Sequence, residues 1–341
     1  MKFNLPAFKI KPKKRTIGLD IGSYNLKVVE LETKGDGFEI TNFGVKDIHT
    51  DKDIPAAINQ LLADAQICGK EINIALSGES VVARHLSMPK MNEEELRKAI
   101  VYELEDHIPF KPEEVYLDFH IVGEDPNSPN KMRVFLVATK KDVLDNRVEL
   151  LQKIGLEPKI ITMDALALMN TLYFNYPAKE KTNITLLNVG EKITNLLICR
   201  EKIPYFVRDT RFGGEVITTL LETKLELDKK AAEELKYKLK DAPEETSKLI
   251  KTTLATLLNE IFVSIDFFEN LTEQKIDEIY ITGGSSQLWG LREFLGGYLG
   301  LEIICLDPLK NFSFAPNIPQ EEITKFSPYL SVAVGLASEQ I

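Results

Sequence analysis

One short pattern occurs twice in the chain, and it constrains the fold more than any other feature. In both copies an apolar strand enters a turn with glycine and polar residues, and a second apolar strand leaves it. The turns are Asp20-Ile21-Gly22 and Asn188-Val189-Gly190, which lie 168 residues apart in a chain of 341. Each copy continues into a meander of predicted strands. The pattern therefore predicts two related lobes, which agrees with the two domains expected for this length.

The composition excludes several classes of protein. Hydrophobic residues make up 44% of the chain and charged residues 28%, which is ordinary for a globular protein and argues against disorder. The net charge of −10 argues against a nucleic-acid binder that relies on general basicity. The three cysteines form no CxxC pair, which indicates reduced thiols. Since no apolar stretch reaches the roughly 18 residues of a membrane span, and no secretory signal is recognised, we expect a cytosolic protein.

A basic segment opens the chain. Residues 1–15 carry five lysines and one arginine and no acidic residue. One interpretation is a solubilising arm without fixed structure. The other is weak attraction to an anionic membrane surface, at about 1 kcal/mol for each basic residue close to it.

Between the two copies the sequence changes character near Ser80. A predicted strand, VVARHLSMP, is followed by a helix that Asn92 and Glu95 open as a capping box. Two further strands and a helix over residues 141–154 complete the block. We therefore expect a small α+β subdomain inserted over residues 80–155.

Glycine turns are the candidates for binding chemistry, because the common nucleotide motifs are absent. The sequence contains neither GxxxxGK[ST] nor GxGxxG, so it supports neither a P-loop NTPase nor a Rossmann enzyme. In the first turn, backbone N–H groups, Ser23, Asn25 and Lys27 could surround phosphate oxygens. Asp20 could hold Mg²⁺ through water. The alternative is an ordinary hairpin with an acidic residue at its turn.

A third glycine turn, Thr282-Gly283-Gly284-Ser285-Ser286, follows the strand DEIYI and is predicted to open a helix. Paired glycines let a ligand approach the backbone, and a helix N-terminus favours negative charge. The alternative here is a tight connection between a strand and a helix. Because the three glycine turns occur in this order, coincidence becomes a less satisfactory explanation for them.

The ordered set resembles a known superfamily. DIGSYNLK is similar to the first phosphate motif of the actin/Hsp70/sugar-kinase ATPases, NVGEKITN to the second, and ITGGSSQLWGL to their adenosine motif. MDALALMNTLYF and PYLSVAVGLAS resemble the two connecting helices. Within that superfamily, the block LEDHIPFKPEEVYLDFHIVG resembles the PilM family of type IV pilus assembly proteins, which are relatives of the division protein FtsA. DIGSYNLKVVELE agrees with this resemblance.

The resemblance implies an actin-like two-lobed α/β fold, made of duplicated RNase H-like domains with an inserted α+β subdomain similar to subdomain 1C of FtsA. The expected domains are a basic arm (1–15), a first lobe (16–172 plus 325–341) that contains the insert (80–155), and a second lobe (173–324).

The resemblance also implies that ATP and Mg²⁺ bind in the cleft between the lobes. Asp20 would hold the metal ion, and Asp164 matches the catalytic position that orients the attacking water in relatives that hydrolyse ATP. The residues expected to bind the nucleotide are Asp20, Gly22, Ser23, Asn25, Lys27, Asn188, Gly190, Thr194, Asn195, Gly213, Gly214, Glu233, Lys236, Gly283 and Gly284. Of these, Glu233 and Lys236 match positions that contact ribose and adenine.

One position departs from the superfamily pattern. The second phosphate motif often carries an acidic residue where this chain has Asn188. A neutral amide is a poorer Mg²⁺ partner than a carboxylate and cannot act as a general base. We therefore expect nucleotide binding and slow or no hydrolysis, so that whether the chain is an enzyme stays open.

The function implied by the resemblance is a cytoplasmic scaffold of the type IV pilus machine. It would dock the cytoplasmic N-terminal segment of the inner-membrane protein PilN in a groove between the inserted block and the first lobe, and it would thereby associate with the inner-membrane complex. Self-association is also expected, and binding to nucleic acid is not. The alternatives are an FtsA-like polymerising ATPase, which normally ends in a membrane-targeting helix not expected here, and a small-molecule kinase.

Overall fold

The computed structural model describes residues 15–35, 37–48, 50–125, 128–176, 182–238 and 244–339. The predicted basic arm lies outside these residues except for Arg15. Asp36, in the predicted turn between the second and third strands, also lies outside them.

The described residues form strands and helices that are interspersed along the chain. The strands are β1 (Arg15–Ile21), β2 (Asn25–Lys34), β3 (Gly37–Asp47), β4 (Glu71–Leu76), β5 (Val81–Pro89), β6 (Val115–Asp125), β7 (Ser128–Lys140), β8 (Glu157–Met163), β9 (Ile184–Val189), β10 (Thr194–Arg200), β11 (Ile203–Thr210), β12 (Glu278–Thr282), β13 (Ile303–Cys305) and β14 (Ser313–Phe314). The helices are α1 (Ile54–Asp64), α2 (Glu93–His107), α3 (Lys141–Lys153), α4 (Asp164–Asn175), α5 (Gly214–Leu225), α6 (Lys229–Leu235), α7 (Glu244–Thr272), α8 (Leu291–Leu299), α9 (Gln320–Phe326) and α10 (Ser331–Ser338).

The strands form three sheets, and two of the sheets repeat one topology. The six-stranded sheet has the order β14-β3-β2-β1-β4-β8, and the five-stranded sheet has the order β11-β10-β9-β12-β13. In each, an antiparallel meander of three strands is followed by a parallel neighbour, β4 in one sheet and β12 in the other. The third sheet has the order β5-β7-β6. The shared order shows the predicted duplication.

The duplication holds at the level of single residues. In the first hairpin Asp20 lies opposite Lys27, and in the second Asn188 lies opposite Asn195. Both pairs keep the spacing of 168 residues found in the sequence. A two-strand hairpin fixes which residues face each other, so the two turns present equivalent positions to the space between the sheets.

The three-stranded sheet packs against α2, and together they form a small core of their own. Leu96, Ile100 and Leu104 of α2 are buried in this core. The predicted capping box is confirmed, because the Asn92 side chain accepts from the Glu95 amide at 2.9 Å and the Glu95 carboxylate accepts from the Asn92 amide. The predicted domain boundaries stay a prediction. The chain rejoins the six-stranded sheet at β14, ahead of the expected boundary at residue 325.

The helices α4 and α10 lie between the two large sheets and cross closely. A Cβ atom at Gly335 of α10 would overlap the carbonyl oxygen of Ala167 in α4. Thr171 of α4 donates to the Ser331 carbonyl at 2.6 Å. The predicted helix starting at Pro328 is wrong at its beginning, since residues 327–329 form a 3₁₀ turn and α10 starts at Ser331. Within the residues that the structure describes, no helix is long and apolar enough to cross a bilayer.

Candidate functional site

A cavity of about 700 Å³ lies between the six-stranded and five-stranded sheets. It opens at the carboxyl ends of β1, β4, β8, β9 and β12, where loops can converge on a ligand because the parallel strands end at one edge. It therefore collects the turns of all three predicted motifs. The predicted site residues that line it are Asp20, Gly22, Ser23, Asn25, Lys27, Asp164, Asn188, Gly190, Asn195, Glu233, Gly283 and Gly284.

Four predicted residues lie behind this lining. Thr194 is buried and donates to the Phe212 carbonyl at 2.8 Å. The glycine pair Gly213 and Gly214 packs against the backbone and side chain of Glu191, where a Cβ atom would overlap them. Lys236 has no exposed surface. Their contact with a nucleotide stays a prediction.

The first hairpin brings a carboxylate and an ammonium group into the cavity. Lys27 Nζ lies 3.1 Å from Asp20 Oδ2, and each side chain is only 12% exposed. The pairing follows from the hairpin register, which places the two residues opposite each other. The Asp20 carboxylate therefore faces the cavity, where it could act as an oxygen ligand for a hard cation.

The second hairpin carries amides in place of charges. Asn188 Nδ2 donates to Asn195 Oδ1 at 2.8 Å, and Asn195 Nδ2 donates to Asp209 Oδ1 at 2.8 Å. The other Asp209 oxygen accepts from the backbone amide of Gly78 at 2.6 Å. The second hairpin is thereby connected by hydrogen bonds to the loop that follows β4.

Asp164 begins α4 at the base of the cavity. Burial raises the pKa of its carboxyl group to about 7, and the nearby carboxylates of Asp20 and Asp209 also raise it. A hydrogen bond from Ser77 and the charge of Lys27 act in the opposite direction. An acid whose pKa lies near neutrality is suited to exchange a proton with a water molecule, because both protonation states are populated.

Lys236 lies at the centre of a buried ionic cluster. Its ammonium group lies 2.8 Å from Glu233 and 3.1 Å from Glu191, and it donates to Thr218 at 3.1 Å. The cluster of one cation and two carboxylates carries a net negative charge. Burial raises the pKa of Glu191, and Lys236 opposes that shift.

Three tyrosines that the sequence did not single out also line the cavity. Burial is the main cause that raises the pKa of the phenols of Tyr24, Tyr237 and Tyr329. The ring of Tyr329 packs on Gly284, where a Cβ atom would overlap it. Tyr24 lies within the DIGSYNLK motif, so it could have been predicted from the sequence. Tyr329 could not, because it is distant in sequence from the turn that it covers.

The third glycine turn differs from the prediction. Residues 284–287 form a 3₁₀ turn, and α8 starts only at Leu291. Gly290 has a φ of 72°, in the left-handed region, which separates the two segments. Gly283, with a φ of 91°, accommodates the close approach of the Asn188 side chain and the Val189 backbone. The predicted helix N-terminus is therefore displaced from the glycine pair.

A second cavity of about 650 Å³ lies beside the inserted sheet. Its walls come from β5, from the segment around Phe110, from the start of α3 and from β11. Pro109, Phe110, Val143 and Met163 give it apolar surface. Its charged lining residues are of both signs: Arg84, Lys140, Arg208, Glu79, Asp142 and Asp209. We refer to it as the insert groove.

Comparison with known proteins gives the family. The family model for type IV pilus assembly protein PilM matches residues 18–341. A solved structure described as a PilM-PilN type IV pilus biogenesis complex is 26% identical in sequence, with a TM-score of 0.85, and the match covers 96% of this chain and 98% of that chain.

More distant structures share the fold. The ethanolamine utilization protein EutJ from Carboxydothermus hydrogenoformans has a TM-score of 0.56 at 14% identity, covering 96% of this chain and 90% of that chain. MreB5 of Spiroplasma citri bound to ADP has a TM-score of 0.50 at 10% identity, covering 87% and 93%. The expected actin-like two-lobed α/β fold is confirmed. Because the family model spans nearly the whole sequence, the chain belongs to the family of type IV pilus assembly protein PilM.

Proposed function

We propose that the chain is an ATP-binding scaffold of the type IV pilus machinery, with Mg-ATP bound in the cavity between the two large sheets. The observation that carries the proposal is that this one cavity collects residues of all three predicted motifs. Ser23, Asn25 and Lys27 would hold phosphate from one side, and Gly190 and Asn195 from the other. Glu233 and the tyrosines would surround the nucleoside.

The residues present fit this ligand. A volume of about 700 Å³ is within the ordinary range of small-molecule sites. Among the described residues, no group of three or more His, Cys, Asp or Glu side chains could hold a metal ion by itself. That agrees with Mg²⁺, which is usually held by one or two carboxylates together with phosphate oxygens and water. Asp20 would be the protein ligand.

We further propose that hydrolysis is slow or absent. Bound Mg-ATP would supply an electrophilic terminal phosphate, and the chain would contribute a proton acceptor at Asp164. With a pKa of about 7, Asp164 could accept a proton at neutral pH, so the expectation of slow hydrolysis rests on the second hairpin. Asn188, in the second hairpin, has no acidic function. Nucleotide binding would instead stabilise one relative arrangement of the two lobes.

The nucleotide proposal is tested by titration calorimetry of Mg-ATP into the wild-type chain and into Asp20→Ala. We expect the substitution to abolish measurable binding and leave the circular dichroism spectrum unchanged. Asp106→Ala, on the exposed side of α2, is the matched control and should bind as the wild type does. Wild-type affinity in Asp20→Ala would refute the assignment of the site.

For the partner, we propose that the cytoplasmic N-terminal segment of PilN docks in the insert groove. The support comes from the related complex with PilN and from a groove that β5 of the inserted sheet, the start of α3 and β11 of the five-stranded sheet enclose. Apolar walls suit an extended peptide that carries apolar side chains, and the lining charges of both signs could pair with charged groups on it. Docking would hold a cytoplasmic protein at the inner membrane through its partner.

The partner proposal is tested by calorimetry with a synthetic peptide of the PilN N-terminal segment. Phe110→Ala removes an aromatic wall of the groove, and we expect it to weaken the peptide at least tenfold. Phe262→Ala, which removes a 46% exposed ring on α7, is the matched control and should have no effect. Equal affinities for the two variants would place the peptide elsewhere.

A further inference from the structure

The outer side of α7 has an unusual composition for the surface of a helix. Its exposed residues between positions 252 and 271 are Thr252, Ala255, Thr256, Asn259, Phe262, Val263, Asp266, Phe267, Asn270 and Leu271. Within this stretch, which the structure describes throughout, Asp266 is the one charged residue at an exposed position. Exposed helix positions usually carry lysine, glutamate and other charged residues. We call this set of ten residues the α7 face.

Large apolar side chains are concentrated in the second half of the α7 face. Phe262, Val263, Phe267 and Leu271 are each between 46% and 64% exposed. The ring of Tyr298 in α8 lies edge-on to that of Phe262, with 6.0 Å between their centroids, and it extends the patch. Contiguous exposed apolar side chains mark a surface that another molecule covers.

The first half of the α7 face carries small side chains. Thr252, Ala255 and Thr256 are its exposed residues before Asn259. A large half therefore follows a small half along one helix. Over about 20 residues, each rising 1.5 Å, the two halves together span about 30 Å.

A hollow borders α7 on each side. One, of about 580 Å³, lies between the large half and the strands β5 and β11. The other, of about 640 Å³, lies between Lys251 and the residues Trp289 and Tyr298 next to or in α8. The helix is thus a ridge between two hollows, which a second helix can approach.

The two halves are arranged symmetrically about Asn259. The pairs of residues that lie three, four and seven positions from it on either side are Thr256 and Phe262, Ala255 and Val263, and Thr252 and Asp266. Residues at these spacings share one face of a helix. If two such helices lie antiparallel with Asn259 opposite Asn259, each small residue of one copy therefore meets the larger residue of its pair in the other.

The charges along α7 fit the same arrangement. Lys251 is exposed beside the small half, whereas Asp266 lies in the large half. An antiparallel second copy would bring its Lys251 next to Asp266, because position 252 lies opposite position 266. The two acidic residues at the margin of the large half already have partners within the chain, Arg208 for Glu260 and Lys275 for Glu269. A second copy would therefore add no unpaired like charges along the contact.

We propose that two copies of this chain associate through the α7 face, with their α7 helices antiparallel about a two-fold axis at Asn259. A two-fold contact uses the same surface twice, so that surface must be complementary to itself. Large side chains against small ones let the helices approach closely, and Asp266 with Lys251 fixes their direction. The proposal does not depend on a nucleotide or on a peptide in the insert groove. Because one helix pair is smaller than a standard interface, we expect a weak dimer, with a dissociation constant of about 10 μM.

Sedimentation velocity of the full chain, from about 1 μM to about 100 μM, tests the association. We expect a monomer at the low end and a dimer at the high end. Phe262→Lys removes the ring and places an ammonium group in the contact, so the dimer should weaken at least tenfold. The matched control is Tyr102→Lys, at a residue of α2 that is 86% exposed, and it should associate as the wild type does. Since both residues are exposed, both variants should keep the wild-type circular dichroism spectrum.

Single cysteines test the position of the two-fold axis. The exposed residues Cys68 and Cys305 are first replaced by serine. In that background, Asn259→Cys should form a disulfide-linked dimer on oxidation with diamide, because the axis brings the two copies of residue 259 together. Thr252→Cys should not, since its two copies would lie about 21 Å apart along the helices. A mixture of Thr252→Cys and Asp266→Cys chains should cross-link, because positions 252 and 266 meet.

Each outcome decides one part of the proposal. A chain that stays monomeric at about 100 μM overturns it. A dimer that Phe262→Lys leaves unchanged overturns the assignment of the surface. Cross-linking of Thr252→Cys to itself, without that of Asn259→Cys, overturns the antiparallel arrangement. A monomer that instead binds vesicles of anionic phospholipid, and loses that binding in Phe262→Lys, would assign the α7 face to a membrane and overturn the second copy as its partner.

Discussion

The position of Asp164 in the fold changes the pKa of its carboxyl group strongly. It lies at the start of α4, below Asp20 and Asp209, and its carboxyl group is withdrawn from water. Burial disfavours the ionised form, and two neighbouring carboxylates disfavour it further. The folded protein therefore binds a proton at this site near neutral pH, which an unfolded chain would release.

This difference makes stability depend on pH. The pKa of Asp164 is raised from 3.8 to about 7, so the folded state holds more protons than the unfolded state between these values, and stability falls as pH rises through that window. Asp164→Asn removes the effect. We expect the variant to be more stable than the wild type at pH 8, by at most about 4 kcal/mol, with a smaller difference at pH 5. Urea unfolding at the two pH values measures this, and Asp106→Asn, at an exposed site, should show no such trend. A constant difference between Asp164→Asn and wild type would contradict the assignment.

The cluster around Lys236 leads to a second prediction at this scale. Glu191 and Glu233 give the cluster a net negative charge beside the cavity proposed for a polyanion. Glu191→Gln keeps the shape and removes one negative charge, so we expect Mg-ATP to bind about threefold to tenfold more tightly. Calorimetry measures the change. Glu234→Gln, at the same cavity but exposed to solvent, should alter affinity less than twofold because water screens its charge. Weaker binding by Glu191→Gln would show that this carboxylate holds the ligand instead.

The sequence could identify site residues that lie within one hairpin. Asp20 and Lys27 belong to one local motif, and hairpin register determines that they meet. Asp209 and Tyr329 could not be found in this way, because each reaches its position through the packing of segments distant in sequence. The burial of Lys236 likewise depends on the packing of α5 against α6. No local sequence pattern predicts that packing.

At the level of elements, the crossing of α4 and α10 links the two halves of the molecule. Both helices pack against the large sheets, and their closest point has a glycine in α10 and a backbone carbonyl in α4. A side chain at that position would push the helices apart. The contact therefore sets how closely the helices approach and, with them, the sheets on which they pack.

Gly335→Ala tests this contact. The added methyl group would overlap the Ala167 carbonyl, and we expect a loss of about 1–3 kcal/mol in the free energy of unfolding, as for overpacked cores. The matched control is Gly297→Ala in α8, where a Cβ atom meets nothing within 4 Å. Because alanine favours helix, the control should be neutral or more stable by up to about 1 kcal/mol. Denaturant unfolding measures both, and similar values for the two variants would mean that the crossing is not tight.

Elements with strong local signals were predicted well, and those decided by single backbone conformations were not. β5 matches the predicted strand, and α2 begins at its predicted cap. The start of α10 was predicted too early because the backbone at Pro328 and Tyr329 forms a 3₁₀ turn before the helix. The delay of α8 depends on the left-handed conformation of Gly290, which the residue type permits but does not require.

At the level of the whole molecule, one apolar core joins all three sheets. It contains Leu76 and Leu168 from the six-stranded sheet and its helix, Leu186 and Leu197 from the five-stranded sheet, and Phe135 from the inserted sheet. A shared core makes the parts depend on each other for stability. The molecule should therefore behave as one unit although its sheets are separate.

We expect calorimetry of the wild-type chain to show a single unfolding transition, with the calorimetric enthalpy close to the van't Hoff enthalpy. Mg-ATP at about 100 times its dissociation constant should add about 2.7 kcal/mol of stability and move the whole transition upward. Two separate transitions, of which the nucleotide moves one, would show that the lobes unfold independently.

The replacement of the Asp20–Lys27 ion pair by the Asn188–Asn195 amide pair has a consequence for how solution conditions act on the cavity. Ions in the buffer compete with charged contacts and leave neutral hydrogen bonds nearly unaffected. The two hairpins have the same register, but only the first would then bind a phosphate group more weakly as ionic strength rises. Of the two hairpins, the first alone would contribute to the salt dependence of nucleotide affinity.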